Sequence, residues 1–192
     1  MNSPYLQSVL VQPPCILGRE LKPFSAYHAA VLMAFDSPFV CGGDGVSREQ
    51  LMFALWVCGT GFVDGPRRLM SGDGVVDAAC MAVHTDKFDL QEQVDNFAQY
   101  VENYSAQAQA WHDENIAPSV SALPWPFKLV AVLLTNMHGL TEQEAWDMPL
   151  SRASCYRASI AEDNGVKLMT QIEVDTVARA KADGVCWTPG EK

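Results

Sequence analysis

Basic side chains are scarce in this chain of 192 residues: 13 Lys and Arg stand against 23 Asp and Glu, a net charge of −10. Neutralising a phosphate backbone takes a basic stripe, and the one adjacent basic pair is Arg67-Arg68. Nucleic acid and anionic membrane surfaces are therefore not expected as direct partners. No apolar run approaches the roughly 20 residues that cross a bilayer. The opening MNSPYLQSVL has neither the basic region nor the apolar stretch of a signal peptide. The six cysteines (Cys15, Cys41, Cys58, Cys80, Cys155 and Cys186) include no CxxC pair, and no histidine lies at zinc-finger distance from any two of them. These absences give the expectation of a reduced, soluble, cytoplasmic protein with no metal site.

What is present is apolar. Hydrophobic residues make up 48% of the chain and charged residues 19%, and a chain of this length buries about 70% of its extended surface on folding. That suffices for a core without metal or disulfide staples. Residues 1–24 carry four prolines and no helical period, and read as an extended arm. Within it Cys15-Ile16-Leu17, followed by Gly18, suits a strand paired with Leu21 in a hairpin-like turn. Ser25 caps an apolar helix over 26–35. Ser47 and Gln50 form a capping box that opens a buried helix over 48–58. Residues 59–74 hold five glycines and a proline and read as a loop, the most mobile part of the chain. A short helix over 75–83 follows.

The clearest periodic signal runs from Leu90 through Val94, Phe97, Val101, Tyr104 and Ala108 to Trp111, in alternating steps of four and three. This predicts an acidic amphipathic helix over 89–112 with one narrow apolar seam. Residues 76–115 carry eight acids against the single base Lys87. The acids read as a solvated face, with a docking surface for a basic partner as the alternative. The seam packs within the protein's own bundle or lies against another chain. In the second case Leu90, Val94, Phe97, Val101, Tyr104 and Trp111 are the partner-binding residues, joined by Trp125 in its stiff Pro124–Pro126 frame. Residues 115–126 read as a proline-rich linker between a helical half at 25–114 and a C-terminal helical half at 127–192. In the latter, helices are expected at 127–138, after the Thr141/Glu144 capping box, at 150–163 and at 170–182. The whole is an all-α bundle of six to eight helices.

No spacing carries catalytic chemistry. The glycine loops CGGDGVSRE and SGDGVVD lack the Gly-Lys-Ser/Thr of a phosphate loop, and the Asp-Gly pairs lack the alternating acids of a calcium loop. There is no HExxH and no GxSxG. His28, on an apolar helix, reads as a hydrogen-bonded core histidine. His138 is expected in the last turn before Gly139, where a cation suits the helix dipole. No catalytic, cofactor-binding or metal-ligating residue is expected, and the chain is expected not to be an enzyme. An enzyme or small-ligand binder that uses the glycine loops at 41–45 and 59–74 is a further alternative.

The order FKLVAVLLTNMHG, LTEQEAWDMPL, SRASCYRASIAEDNG over 124–165, with the upstream ILGRELKPFSAYHAAVLMAF, resembles tail assembly chaperones and neighbouring tail-module proteins of long-tailed bacteriophages. The resemblance covers under half of the chain and rests on helix-boundary punctuation. It implies a non-enzymatic protein of the host cytoplasm, without cofactor and often oligomeric. Such a protein binds the tape measure protein, keeps it soluble and helps tail tube protein polymerise around it. The alternative is a virion structural protein of tail or connector, whose arm at 1–24 clamps a neighbouring subunit.

Overall fold

The computed structural model describes residues 12–43, 45–84, 88–105 and 122–184. Over these the chain is all-α apart from one small hairpin. Strands β1 (Cys15–Ile16) and β2 (Arg19–Glu20) pair antiparallel, Cys15 opposite Glu20 and Ile16 opposite Arg19. Both loop residues have positive φ, 52° at Leu17 and 74° at Gly18, the backbone hand that matches the twist of a hairpin. The N–H of Leu21 extends the pairing by donating to Pro14 O at 3.1 Å.

Ten helices follow among the described residues: α1 (Ala26–Ala34), α2 (Pro38–Cys41), α3 (Arg48–Cys58), α4 (Asp64–Met70), α5 (Asp73–His84), α6 (Leu90–Tyr104), α7 (Trp125–Asn136), α8 (Glu142–Asp147), α9 (Leu150–Asp163) and α10 (Gln171–Ala182). Ten exceeds the six to eight expected, because α2 and α4 occupy stretches whose glycines and prolines suggested loops. Residues 59–74 are the clearest correction. Pro66 falls in the first turn of α4, where no N–H is needed for the helix ladder. Gly65 and Gly74 serve close packing and not turns. A Cβ on Gly65 would sit 1.8 Å from the Tyr27 hydroxyl, and one on Gly74 would sit 2.4 Å from the Trp56 ring.

Trp125 and Pro126 likewise belong to a helix and not to the linker. Proline at the start of α7 has its ring preset for the first turn. The helix ends at Asn136, so His138 lies beyond its last turn. The capping boxes at Ser47/Gln50 and Thr141/Glu144 form as read, and the first opens α3 at Arg48. Of the predicted helix over 89–112, α6 accounts for Leu90–Tyr104, and 106–112 lie outside the described residues.

Helix α3 is the centre of the molecule. Its Leu51, Met52, Leu55 and Trp56 are wholly buried. Around them the main apolar cluster gathers Ile16 of the hairpin, Leu21 and Phe24, Leu32 of α1, Phe97, Tyr100 and Tyr104 of α6, Leu129 and Leu133 of α7, and Leu150 and Ala153 of α9. Residues on both sides of 115–126 thus share one core. A smaller cluster joins Ala26 and Tyr27 to Val130, Ala145 and Trp146.

The segment Leu21–Ser25 ties these elements together by backbone bonds. Lys22 N donates to Cys58 O at 2.8 Å, and Leu150 N donates to Phe24 O at 2.7 Å. Tyr100 of α6 donates its hydroxyl to Lys22 O at 2.5 Å. This part of the expected arm is therefore interior, with Leu21 and Phe24 buried, and is not available to clamp a neighbour. No helix among the described residues is long and apolar enough to cross a membrane.

Candidate functional site

The apolar seam of α6 turns inward. Phe97 and Tyr104 are buried in the main cluster, with Tyr100 between them, while Leu90, Val94 and Val101 are half-buried at its edge. The seam follows the internal alternative, and Phe97 and Tyr104 are corrected as partner-binding residues: their rings are already used by the protein's own core. Trp125 is half-buried against the same cluster. Trp111 lies outside the described residues.

Two members of the seam also face a groove. Val94 and Val101, with Ala98, Glu102 and Ser105, form one wall of an open cavity of about 400 Å³. Pro38 and Phe39 of α2 form the opposite wall, and Gly43 and Val46 close it from the glycine-rich loop. Phe39 rests on Phe97 with ring centroids 4.5 Å apart, so the groove stands directly on the core. Proline at the start of α2 places the Phe39 ring there. Ala98, Glu102, Phe39 and Val46 are site residues that the seam alone does not reveal. They come from three separate segments, and Ala98 and Glu102 fall on the side of α6 that the heptad pattern leaves polar.

The electrostatics of this wall are one-sided. Asp89 caps α6, its carboxylate accepting from Gln91 N at 2.9 Å and Glu92 N at 3.4 Å. Asp95 accepts from the Gln91 amide at 2.8 Å, and Glu102 accepts from the Gln99 amide at 3.3 Å. The acids of α6 are thus held by neutral donors of their own helix. Among the described residues Glu102 is the one charged residue lining the groove, and no basic residue lines it.

A second polar centre is structural. His28 is buried on α1. Its Nδ1 accepts from Ser25 N at 3.1 Å, and its Nε2–H donates to Thr60 O at 2.9 Å. It is the hydrogen-bonded core histidine the sequence suggests, and burial pulls its pKa down to about 4. Nearby, Asp147 accepts from Phe62 N at 2.8 Å, and Phe62 stacks on Trp146 at 5.5 Å. Burial also pushes the Cys58 thiol and the Tyr100 and Tyr104 phenols upward, which keeps them protonated. The cysteines Cys15, Cys41, Cys58 and Cys155 are free thiols. Among the described residues no group of three or more His, Cys, Asp or Glu is placed to hold a metal ion.

No protein-family model matches the chain. No solved structure matches it either. It is similar to a glutaminase from Synechocystis sp., 28% identical over 123 residues, which covers 61% of this chain. The match spans 36% of the length of that enzyme. This likeness overturns the expectation that the chain is not an enzyme. That expectation leaned on the lack of contiguous signatures, whereas catalytic groups are brought together by a fold from distant positions and need no local motif.

Proposed function

We propose that the chain is an assembly factor of the tail assembly chaperone kind, and that the groove on α6 holds a segment of its protein partner. The observation that carries this reading is the groove itself: an apolar trough on the core, walled by a helix that carries acids and no base, with no basic side chain among the described residues of its lining. An amphipathic segment of a long helical protein, apolar on one side and lysine-bearing on the other, meets both features. The tape measure protein and tail tube protein are the partners proposed, in keeping with the resemblance of 124–165. Ala98 is exposed on the groove wall, so Ala98→Glu changes the groove without entering the core. Affinity capture from the producing cell, read by mass spectrometry, is expected to recover one very long helical protein with the unaltered chain. The Ala98→Glu variant is expected to lose it at unchanged thermal stability. Equal recovery by both would remove the groove as the site. Stoichiometric amounts of the chain in finished particles would favour a tail or connector subunit.

The glutaminase likeness supports a second reading, hydrolysis of a side-chain amide of the glutamine type. It predicts ammonia release from glutamine by the purified chain above the rate of a heat-inactivated control. Rates equal to that control would retire it.

A further inference from the structure

We propose that a notch over Gly61 binds a free α-amino acid, its carboxylate on Lys22 and its ammonium on Asp147. Gly61 is buried, and it does not take the left-handed backbone that calls for a glycine. Its missing side chain leaves room between two opposite charges. A Cβ there would sit 2.9 Å from Lys22 Nζ, 3.1 Å from Asp147 Oδ1 and 3.4 Å from Oδ2. Among the described residues no ion pair joins those two charges to each other. Three separate segments hold them in place. Lys22 is fixed through its backbone, its N–H donating to Cys58 O at 2.8 Å and its carbonyl accepting from the Tyr100 hydroxyl. Asp147, at the end of α8, is fixed by Phe62 N–H, which donates to Oδ1 at 2.8 Å. Gly61 itself is fixed by its carbonyl, which accepts from Gly65 N at 2.8 Å.

A free α-amino acid carries an ammonium and a carboxylate on one carbon, so it matches a cation and an anion that flank one point. A simple carboxylate or a simple amine meets only one of the two. An aromatic shelf adjoins the notch and suits the ligand's side chain. Phe62 stacks on Trp146 at an interplanar angle of 9°, and Phe127, 47% exposed, stands edge-on to Trp146 at 5.0 Å. One helical turn from Gly61, the Tyr27 hydroxyl is buried against Gly65 and completed by no hydrogen bond among the described residues. It is a second polar group of this corner that the fold leaves unsatisfied. The notch shares no residue with the groove on α6. The inference therefore goes beyond the functions proposed above, since binding here requires neither partner capture nor amide hydrolysis.

Amide NMR spectra of the full chain, titrated with small solutes, test it. Glycine is expected to shift the amides of Gly61, Phe62 and Asp147 saturably, and to bind about tenfold more tightly than acetate or methylammonium. L-phenylalanine is expected to bind more tightly than glycine, and Phe127→Ser to remove that difference. Gly61→Ala places a methyl group in the notch against the movable end of Lys22. It is expected to weaken glycine about tenfold at an unchanged melting temperature. Lys22→Ala, at an exposed side chain, is expected to weaken glycine and leave methylammonium unchanged. Asp147→Asn, which keeps an oxygen for Phe62 N–H, is expected to weaken glycine and leave acetate unchanged. No saturable shift with glycine or L-phenylalanine, glycine no tighter than acetate, or full binding by both Gly61→Ala and Lys22→Ala overturns the proposal. Ammonia release and partner capture are read separately, so the failure of either is distinct from failure at the notch.

Discussion

At the scale of single residues, the group with the sharpest consequence is His28. Its pKa in the fold is about 4 against 6.5 for the free side chain, because burial opposes the charged ring. A group whose pKa is depressed on folding favours the fold above the unfolded value and withdraws that support as the pH falls toward the folded one. The stability linked to His28 is therefore complete above pH 6.5 and is lost between 6.5 and about 4, on the order of 3 kcal/mol in all. Urea denaturation across that window is expected to show the slope, and His28→Asn to flatten it. The role of His28 was legible because one histidine in AYHAAVLMAF has a core on every side. Gly65 and Gly74 were not legible in the same way. A glycine that makes a turn and a glycine that admits a tyrosine or tryptophan ring look alike until the partner from a distant helix is placed.

At the scale of elements, α6 carries two surfaces on one helix. Its inner ridge of Phe97, Tyr100 and Tyr104 is buried, with Tyr100 edge-on to Phe24 at 5.9 Å. Its flank of Val94, Ala98 and Val101 lines the groove. The prediction separates them: Phe97→Ala opens a cavity in the core and costs about 3–5 kcal/mol of stability, measurable by thermal unfolding. The seam's period was readable, since alternating steps of four and three define a stripe wherever the helix docks. Its direction was not, because a stripe that faces the protein's own core and one that faces a partner obey the same spacing. The short helices α2 and α4 escaped for a different reason. Each is set by tertiary packing of glycine and proline positions, which locally favour turns.

At the scale of the whole molecule, cohesion is unequal. Every element from the hairpin to α9 supplies at least one side chain to a buried cluster or packs against one, whereas no residue of α10 appears in either. Segments with little buried apolar contact open at low free energy. Amide hydrogen exchange is expected to reach the backbone of 171–182 well before that of α3, and equal protection of the two would contradict this ordering. All-α architecture was legible from composition and caps. The sharing of one core across 115–126 was not, since a proline-rich stretch marks a change of direction as readily as a boundary. The bond from Leu150 N to Phe24 O has a consequence for synthesis. Residues 21–25 leave the ribosome long before α9 exists, so the seat they occupy is completed only after Leu150 has been made. Until then the nascent chain carries Phe24 without its final neighbours, and completion of that seat waits on α9. For a protein built almost wholly of helices this is an unusually non-local dependence, one that slows folding. It makes truncation anywhere before Leu150 a loss of the bond that holds Phe24 as well as of the missing residues, while Lys22 keeps its bonds to Cys58 and Tyr100.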